Sequence, residues 1–174
     1  MQRVTQEIRT TSYLLHPPLL DESGIPAALR VYVVDGLIQR APLKVRLSIS
    51  DNFGRLPKEI ELAMFRMVQE GLTNVLRHSG SDSAEIKITR NPRRVTLEIQ
   101  DRGRGIPDEK LVAINEGASG VGIRGMRDRV RHLNGEANVY SNQSGTTVSI
   151  TLPTYGINAS SEDADDFSAV VQAS

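Results

Sequence analysis

An α+β fold, a largely antiparallel sheet covered by helices on one face, is what this sequence predicts, and three observations predict it. Residues 57–78 carry apolar side chains at helical spacing. Residues 84–89 and 95–101 alternate apolar and polar side chains on either side of Arg90-Asn91-Pro92-Arg93, a hairpin pattern. Residues 137–141 and 146–152 repeat that pattern across Asn142-Gln143-Ser144-Gly145. Strands joined in sequence by short turns pair antiparallel, and their apolar face needs a covering layer of helices.

The elements follow in order. Val4, Ile8, Thr11 and Leu15 recur at helical spacing, and Pro17-Pro18 stop the helix they form. Its abrupt start reads as the last turns of a longer helix. A second helix is expected over residues 25–40, with Pro26 in its first turn and Leu29, Val33, Leu37 and Ile38 along one face. Residues 43–49 alternate and read as a strand. In the helix over 57–78, Pro57 stands near the first turn, Glu59 and Glu61 come early, and Arg77 and His78 come late, as the helix dipole favours. Ile60, Met64, Met67, Val68, Gly71, Leu72 and Val75 form its apolar arc, with Glu70 and Asn74 projecting together at the edge. Residues 122–133 read as a further helix, with His132 as a cation at its C-terminal end.

Composition narrows the class. The chain has 174 residues, 39% hydrophobic and 24% charged, enough for one globular domain with a proper core. It has no cysteine, which removes disulfides and thiolate metal sites, and an intracellular setting is the expectation. No apolar run approaches the ~20 residues that span a bilayer, and the polar start is not a signal peptide. The 21 basic and 21 acidic residues balance, but the segment from Thr154 onward holds Glu162, Asp163, Asp165 and Asp166 and no Lys or Arg. Without it, 21 basic stand against 17 acidic residues, a balance of +4. That suits an anionic small ligand and falls short of the clustered basic stripe of a nucleic-acid binder. The segment from 154 to 174 reads as a disordered acidic tail.

The chemistry concentrates in three places. Glu70 and Asn74, four residues apart on a helix, face one way and offer an acid and an amide oxygen to one magnesium ion or water. Asp101 ends an alternating strand, where a carboxylate can accept a hydrogen bond from an exocyclic amine such as that of adenine; an Asp-x-Gly turn is the plainer reading. Six glycines then fall between Gly103 and Gly125, at an entropy cost a simple connection does not require. The second cluster, Gly120-Val121-Gly122-Ile123-Arg124-Gly125, spells the dinucleotide fingerprint. That fingerprint needs a strand before it and an acid about twenty residues later. Here Asn115-Glu116-Gly117-Ala118-Ser119 precedes it and Tyr140 holds the later position. No Gly-Lys-Ser or Gly-Lys-Thr occurs, which removes the Walker type. A helix N-terminus remains, its free N–H groups open to an anion, with Arg77, His78, Arg124 and Arg127 available to neutralise phosphates.

Together these residues resemble the ATP-binding domain of sensor histidine kinases, within the superfamily that includes gyrase, Hsp90 and MutL. Glu70-Gly71-Leu72-Thr73-Asn74-Val75-Leu76-Arg77-His78-Ser79 is similar to the family's asparagine box. Asp101-Arg102-Gly103-Arg104-Gly105 is similar to its first glycine box, and Gly120-Val121-Gly122-Ile123-Arg124-Gly125-Met126 to its second. Leu15-His16-Pro17-Pro18-Leu19-Leu20 followed by Gly24-Ile25 resembles the segment after the dimerisation domain in the NarL-like branch. The resemblance implies a two-layer α/β sandwich of the Bergerat type, a mixed, mostly antiparallel sheet under about three helices. It implies ATP and Mg2+ as ligands. Asn74 would hold magnesium between the phosphates with Glu70 in the metal or water shell, and these two are the expected catalytic pair. Asp101 would bond the adenine amine, with Thr146 as a neighbour through water. Gly103 and Gly105 would start the pocket floor, and Gly120, Gly122, Ile123, Gly125 and Met126 would line the phosphate end beneath a moving lid. Arg77 and His78 would reach phosphates.

The resemblance also implies a domain plan: the end of a dimerisation helix and linker over 1–20, the catalytic domain over 21–153 and the tail beyond. The family's phosphoacceptor histidine lies in an acidic-flanked motif on a dimerisation helix, and no such motif is present here. His16, followed by two prolines, reads as a helix end at a domain junction. The expected partners are therefore ATP, a dimerisation domain bearing the acceptor, and a response regulator, without direct nucleic-acid contact. The parent protein is expected to be homodimeric, this chain monomeric and cytoplasmic, and any membrane anchorage of the parent is an expectation from family habit. Competing implications are a serine kinase of the anti-sigma class on the same fold and a non-catalytic nucleotide-binding module.

Overall fold

Five strands form one sheet in the order β1-β2-β3-β5-β4. In the computed structural model, which describes residues 18–35, 43–116 and 121–155, the chain runs α1 (Pro18–Asp35), β1 (Lys44–Ile49), α2 (Lys58–Asn74), a single π turn (Val75–Ser79), β2 (Ser83–Arg90), β3 (Arg94–Asp101), α3 (Asp108–Asn115), α4 (Val121–His132), β4 (Glu136–Asn142) and β5 (Gly145–Pro153). β1 and β2, separated by α2, pair parallel, and the other three pairings are antiparallel. The sheet is thus mixed and mostly antiparallel. The first helix expected from the sequence, the whole of the acidic stretch beyond Tyr155, and Gly120 lie outside the described residues.

Alternation makes the sheet one-sided. Ala84, Ile86 and Ile88 of β2 and Val95, Leu97 and Ile99 of β3 are buried, as are Ile150 and Leu152 of β5. They join one core with Ile25 and Leu29 of α1, Ile60, Met64, Phe65 and Leu72 of α2, and Met126 and Val130 of α4. Each fully buried side chain of this size stabilises by about 1.5–3 kcal/mol. The opposite face is polar: Lys87 lies 4.0 Å from Glu98, its partner in register, and Thr96 and Thr151 hydroxyls meet at 3.3 Å.

The structure departs from the sequence reading at three points. The helix expected from Ile25 begins earlier, at Pro18, because proline suits a first turn, where its missing N–H has no intrahelical acceptor. Gly24, at φ 75° and ψ 179°, then breaks α1, and the helix resumes into Pro26. The rest of the expected helix, residues 36–40 with Leu37 and Ile38, lies outside the described residues. Second, the helix over 57–78 is α-helical only to Asn74 before it widens into the π turn. Third, α3 stands where the sequence suggested only a glycine-rich stretch. It is short and buries only Ile114, so it shows little apolar periodicity; Pro107 ahead of Asp108 and Glu109 is the signal that marks its start.

One ion pair joins the start of α1 to α2. Glu61 is 1% exposed. Arg55 binds it through two nitrogens, Nε to Oε1 at 3.1 Å and a terminal nitrogen to Oε2 at 3.0 Å. The same guanidinium donates to the carbonyls of Leu20 at 3.1 Å and Asp21 at 3.3 Å, near the Gly24 break. The Leu56 N–H also donates to Glu61 Oε1 at 3.1 Å. A buried carboxylate that loses its cation is costly. Arg55→Ala is therefore expected to lower the melting temperature measured by circular dichroism. Lys58→Ala, which removes an exposed contact to Asp21 at 3.4 Å, is expected to leave it nearly unchanged.

Candidate nucleotide site

The site forms where α2 runs out and β3 ends. The π turn closes on itself, with Ser79 Oγ donating to the Val75 carbonyl at 2.8 Å and accepting the Ser81 N–H at 2.9 Å. Its last carbonyls are taken by the segment after β3. The Arg104 N–H donates to Ser79 O at 2.9 Å, and Arg104 Nε donates to His78 O at 3.0 Å. A helix end leaves such carbonyls unsatisfied, so these bonds fasten the first glycine cluster to the end of α2.

Glycine is what permits the fastening. A Cβ on Gly103 would lie 2.2 Å from the Ser79 carbonyl oxygen, with backbone on the receiving side that cannot yield. At Gly105, φ is 71° and a Cβ would lie 2.0 Å from the Asn142 carbonyl oxygen in the β4–β5 turn. Gly103 and Gly105 are thus fixed by contacts between protein backbones. The Asp101 carboxylate, 6% exposed, accepts the Gly103 N–H through Oδ1 at 2.8 Å. The turn reading of Asp101 is correct for that oxygen, and the carboxylate has a second. Across β3 and β5, Gln100 pairs with Thr147, so the next step sets Thr146 beside Asp101.

The second glycine cluster comes to the other side of the same place. A Cβ on Gly122 would meet Glu70 Oε1 at 2.3 Å and Asn74 Oδ1 at 3.9 Å. Glu70 and Asn74 are both half-buried, as is Ile123. Val121 to Arg124, the first residues of α4, carry N–H groups without intrahelical acceptors, next to an acid, an arrangement the helix dipole favours. Arg77 and His78 sit exposed in the π turn, immediately beyond Asn74.

Three residues of the second cluster and its helix are placed differently. Gly125 is exposed, with nothing within 4 Å of where a Cβ would stand, and lines a 580 Å³ groove between α2 and α4 with Leu62, Ala63 and His132. Met126 is a core residue at 3% exposure, which leaves only its main chain for a ligand. Arg127, available to phosphates in the sequence reading, instead donates to the Ile114 and Asn115 carbonyls and to Asn115 Oδ1 at 2.8 Å. It holds the C-terminal end of α3, where a cation is favoured. Sequence reasoning missed Ser79, Arg104 and Ser141, whose contacts assemble the site; Ser141 Oγ accepts the Ile106 N–H at 2.8 Å and lies 3.0 Å from Thr146 Oγ1. Only Arg104 carried a signal, from its place inside the glycine cluster.

A one-sided mixed sheet with these helix and strand ends gathered at one end of it is the Bergerat type of ATP-binding domain. Residues 59–156 match the family described as histidine kinase-, DNA gyrase B-, and HSP90-like ATPase, and the chain belongs to that family. It is 30% identical over 148 residues to the sensor histidine kinase MctS of Rhizobium johnstonii, covering 85% of this chain and 32% of that protein. It is 31% identical over 157 residues to the oxygen sensor histidine kinase NreB of Staphylococcus carnosus, covering 88% of this chain and 43% of that one. Among solved structures, the histidine kinase domain of the Erythrobacter litoralis blue-light activated histidine kinase superposes with a TM-score of 0.57 at 28% identity, covering 76% of this chain and 64% of that one. The chain therefore spans less than half the length of these two curated relatives. Among the described residues, no helix is long and apolar enough to cross a membrane.

The two kinds of glycine separate in a substitution test. Gly103→Ala is expected to lower the melting temperature and abolish nucleotide binding, because Ser79 cannot give way. Gly125→Ala, inside α4 and unobstructed, is expected to stabilise by about 0.5–1 kcal/mol through helix propensity, read as a higher melting temperature.

Proposed function

We propose that this chain is the catalytic ATP-binding domain of a two-component sensor histidine kinase, which binds Mg-ATP and donates the γ-phosphoryl group to a histidine on a dimerisation domain, for relay to a response regulator. The observation that carries the reading is the convergence of Asp101, Glu70, Asn74 and the N-terminus of α4 at one end of the sheet. The names of the relatives support the histidine kinase class over the serine kinase alternative.

The base end is Asp101. Its carboxylate, buried and held by the Gly103 N–H, would accept the adenine amine, with Thr146 alongside. The phosphate end is the first turn of α4, where the Gly122 and Ile123 N–H groups meet an anion. Arg77 and Arg124 are exposed and supply positive charge, with His78 exposed beside Arg77. A helix N-terminus alone offers about half a charge, which a triphosphate exceeds severalfold.

Magnesium fits the residues present. Glu70 and Asn74 offer hard oxygen donors one helical turn apart, which suits an ion that takes one or two protein ligands and completes its shell with phosphate and water. No group of three or more His, Cys, Asp or Glu side chains that could hold a metal occurs among the described residues, so the phosphates must share the ion. When bound, it neutralises charge on the phosphates as the phosphoryl group transfers. This chain's own residues act by positioning: Asp101 fixes the base, Asn74 the phosphate end and α4 the oxygens.

Isothermal titration with a non-hydrolysable ATP analogue and magnesium tests the reading. Binding is expected, with Asp101→Asn and Asn74→Ala each weakening it at least about tenfold, the size of a lost hydrogen bond to a charged group. No binding by the unaltered chain, or affinities unmoved by both substitutions, would sink it.

A further inference from the structure

The groove between α2 and α4 is built from the first half of α2 and the later turns of α4, whereas the nucleotide site uses the end of α2 and the start of α4. Its floor is apolar: Ala63 and Leu133 are buried and Leu62 is half-buried. Arg66, Arg129 and His132 line it together with two acids, Glu59 and Asp128. Arg129, Arg131 and His132 make the last turn of α4 basic. Across the groove and that turn, three arginines and a histidine stand against two carboxylates, a balance that favours an anionic segment.

The chain leaves the sheet beside this groove. As α4 turns into β4, the Gly135 N–H donates to the Val130 carbonyl at 2.9 Å. A Cβ on Gly135 would lie 2.5 Å from Leu152 Cδ2 and 2.6 Å from the Thr151 carbonyl oxygen. The end of β5 therefore runs against the chain just past Leu133. The Thr154 N–H then donates to the Arg93 carbonyl at 3.0 Å, and the described chain stops at Tyr155.

The sequence beyond Tyr155 complements the groove in both charge and polarity. Glu162, Asp163, Asp165 and Asp166 come together with no cation among them, and Phe167, Val170 and Val171 follow directly. Extended chain spans ~3.3 Å per residue, so Phe167 can stand up to ~40 Å from Tyr155. Helix α4, at 12 residues, is only ~18 Å long. The acidic stretch can therefore reach the basic turn of α4 and the apolar residues can reach the groove floor.

We propose that residues 162–171 dock in the groove between α2 and α4 of the same chain, with the acidic residues against Arg129, Arg131 and His132 and with Phe167 seated on Leu62, Ala63 and Leu133. Ordering a mainly polar segment costs entropy. Covalent attachment beside the groove offsets part of that cost by holding the segment at high effective concentration. The docking does not depend on the ATP reading.

The chain has no cysteine, so Ser174→Cys can carry a single nitroxide label on the 174-residue protein. Amide resonances are expected to broaden at Leu62, Ala63 and Leu133 and to stay sharp at Lys87 and Glu98 on the polar face of the sheet. Phe167→Ala and Arg129→Glu, the latter at an exposed position, are each expected to remove most of that broadening. Salt at ~1 M, where the Debye length is ~3 Å, is expected to reduce it. Broadening spread evenly over the surface, absent from the groove, or unmoved by both substitutions would overturn the inference. So would broadening found only between a labelled chain and a separate isotope-enriched copy, which would make the occupant a second molecule.

Discussion

The approach of Gly103 to the Ser79 carbonyl is the constraint on which the site depends. Helix α2 and strand β3 come from different layers, and no side chain at position 103 fits between the chain after β3 and the end of the π turn. With glycine there, the Arg104 N–H reaches Ser79 O at 2.9 Å, and the strand end bearing Asp101 is fastened to the helix end bearing Asn74. The π turn contributes by bringing its last carbonyls to a place where the glycine segment can satisfy them. Rigid elements therefore hold both ends of a ligand, as a positioning mechanism requires.

On that frame, charge is distributed by position. The acidic groups Glu70 and Asp101 lie inward, half-buried and buried, while Arg77, His78 and Arg124 lie at the exposed margin. Glu70 rests against Gly122 at the start of α4, where the helix dipole favours an anion. A phosphate seeking the same N–H groups would meet Glu70 there, and a shared cation reconciles two anions at one helix end. The proposed roles of Glu70 and magnesium are thus two sides of one electrostatic requirement. On the other flank, Arg127 spends its charge on the end of α3, which couples α4 to the short helix ahead of it instead of to a ligand.

The sheet and its helices were legible because each carries a period: alternation in β2, β3 and β5, and a broad apolar arc in α2. The parallel pairing of β1 with β2 could be had only from the family resemblance, since alternation does not encode direction. α3 was invisible because Ile114 is its only buried residue, and the start of α1 was placed late, at Ile25, because Gly24 and Pro26 hide the turns that precede them. Within the site, Asp101, Glu70 and Asn74 were legible as types at a spacing. The reason for Gly103 and Gly105 was not, because a contact with Ser79 or Asn142 backbone leaves no local mark. Ser141 was unreadable for the same reason: its hydroxyl serves partners brought together only by the fold.

Hydrogen–deuterium exchange of the chain with and without ADP and magnesium tests the central claim most directly, since it locates the ligand without altering a residue. The account predicts slowed exchange at the π turn, at Gly103 to Ile106 and in the first turn of α4, with the groove between α2 and α4 around Leu62 and His132 unchanged. Protection confined to that groove, or exchange unaffected by the nucleotide at saturating concentration, would contradict it.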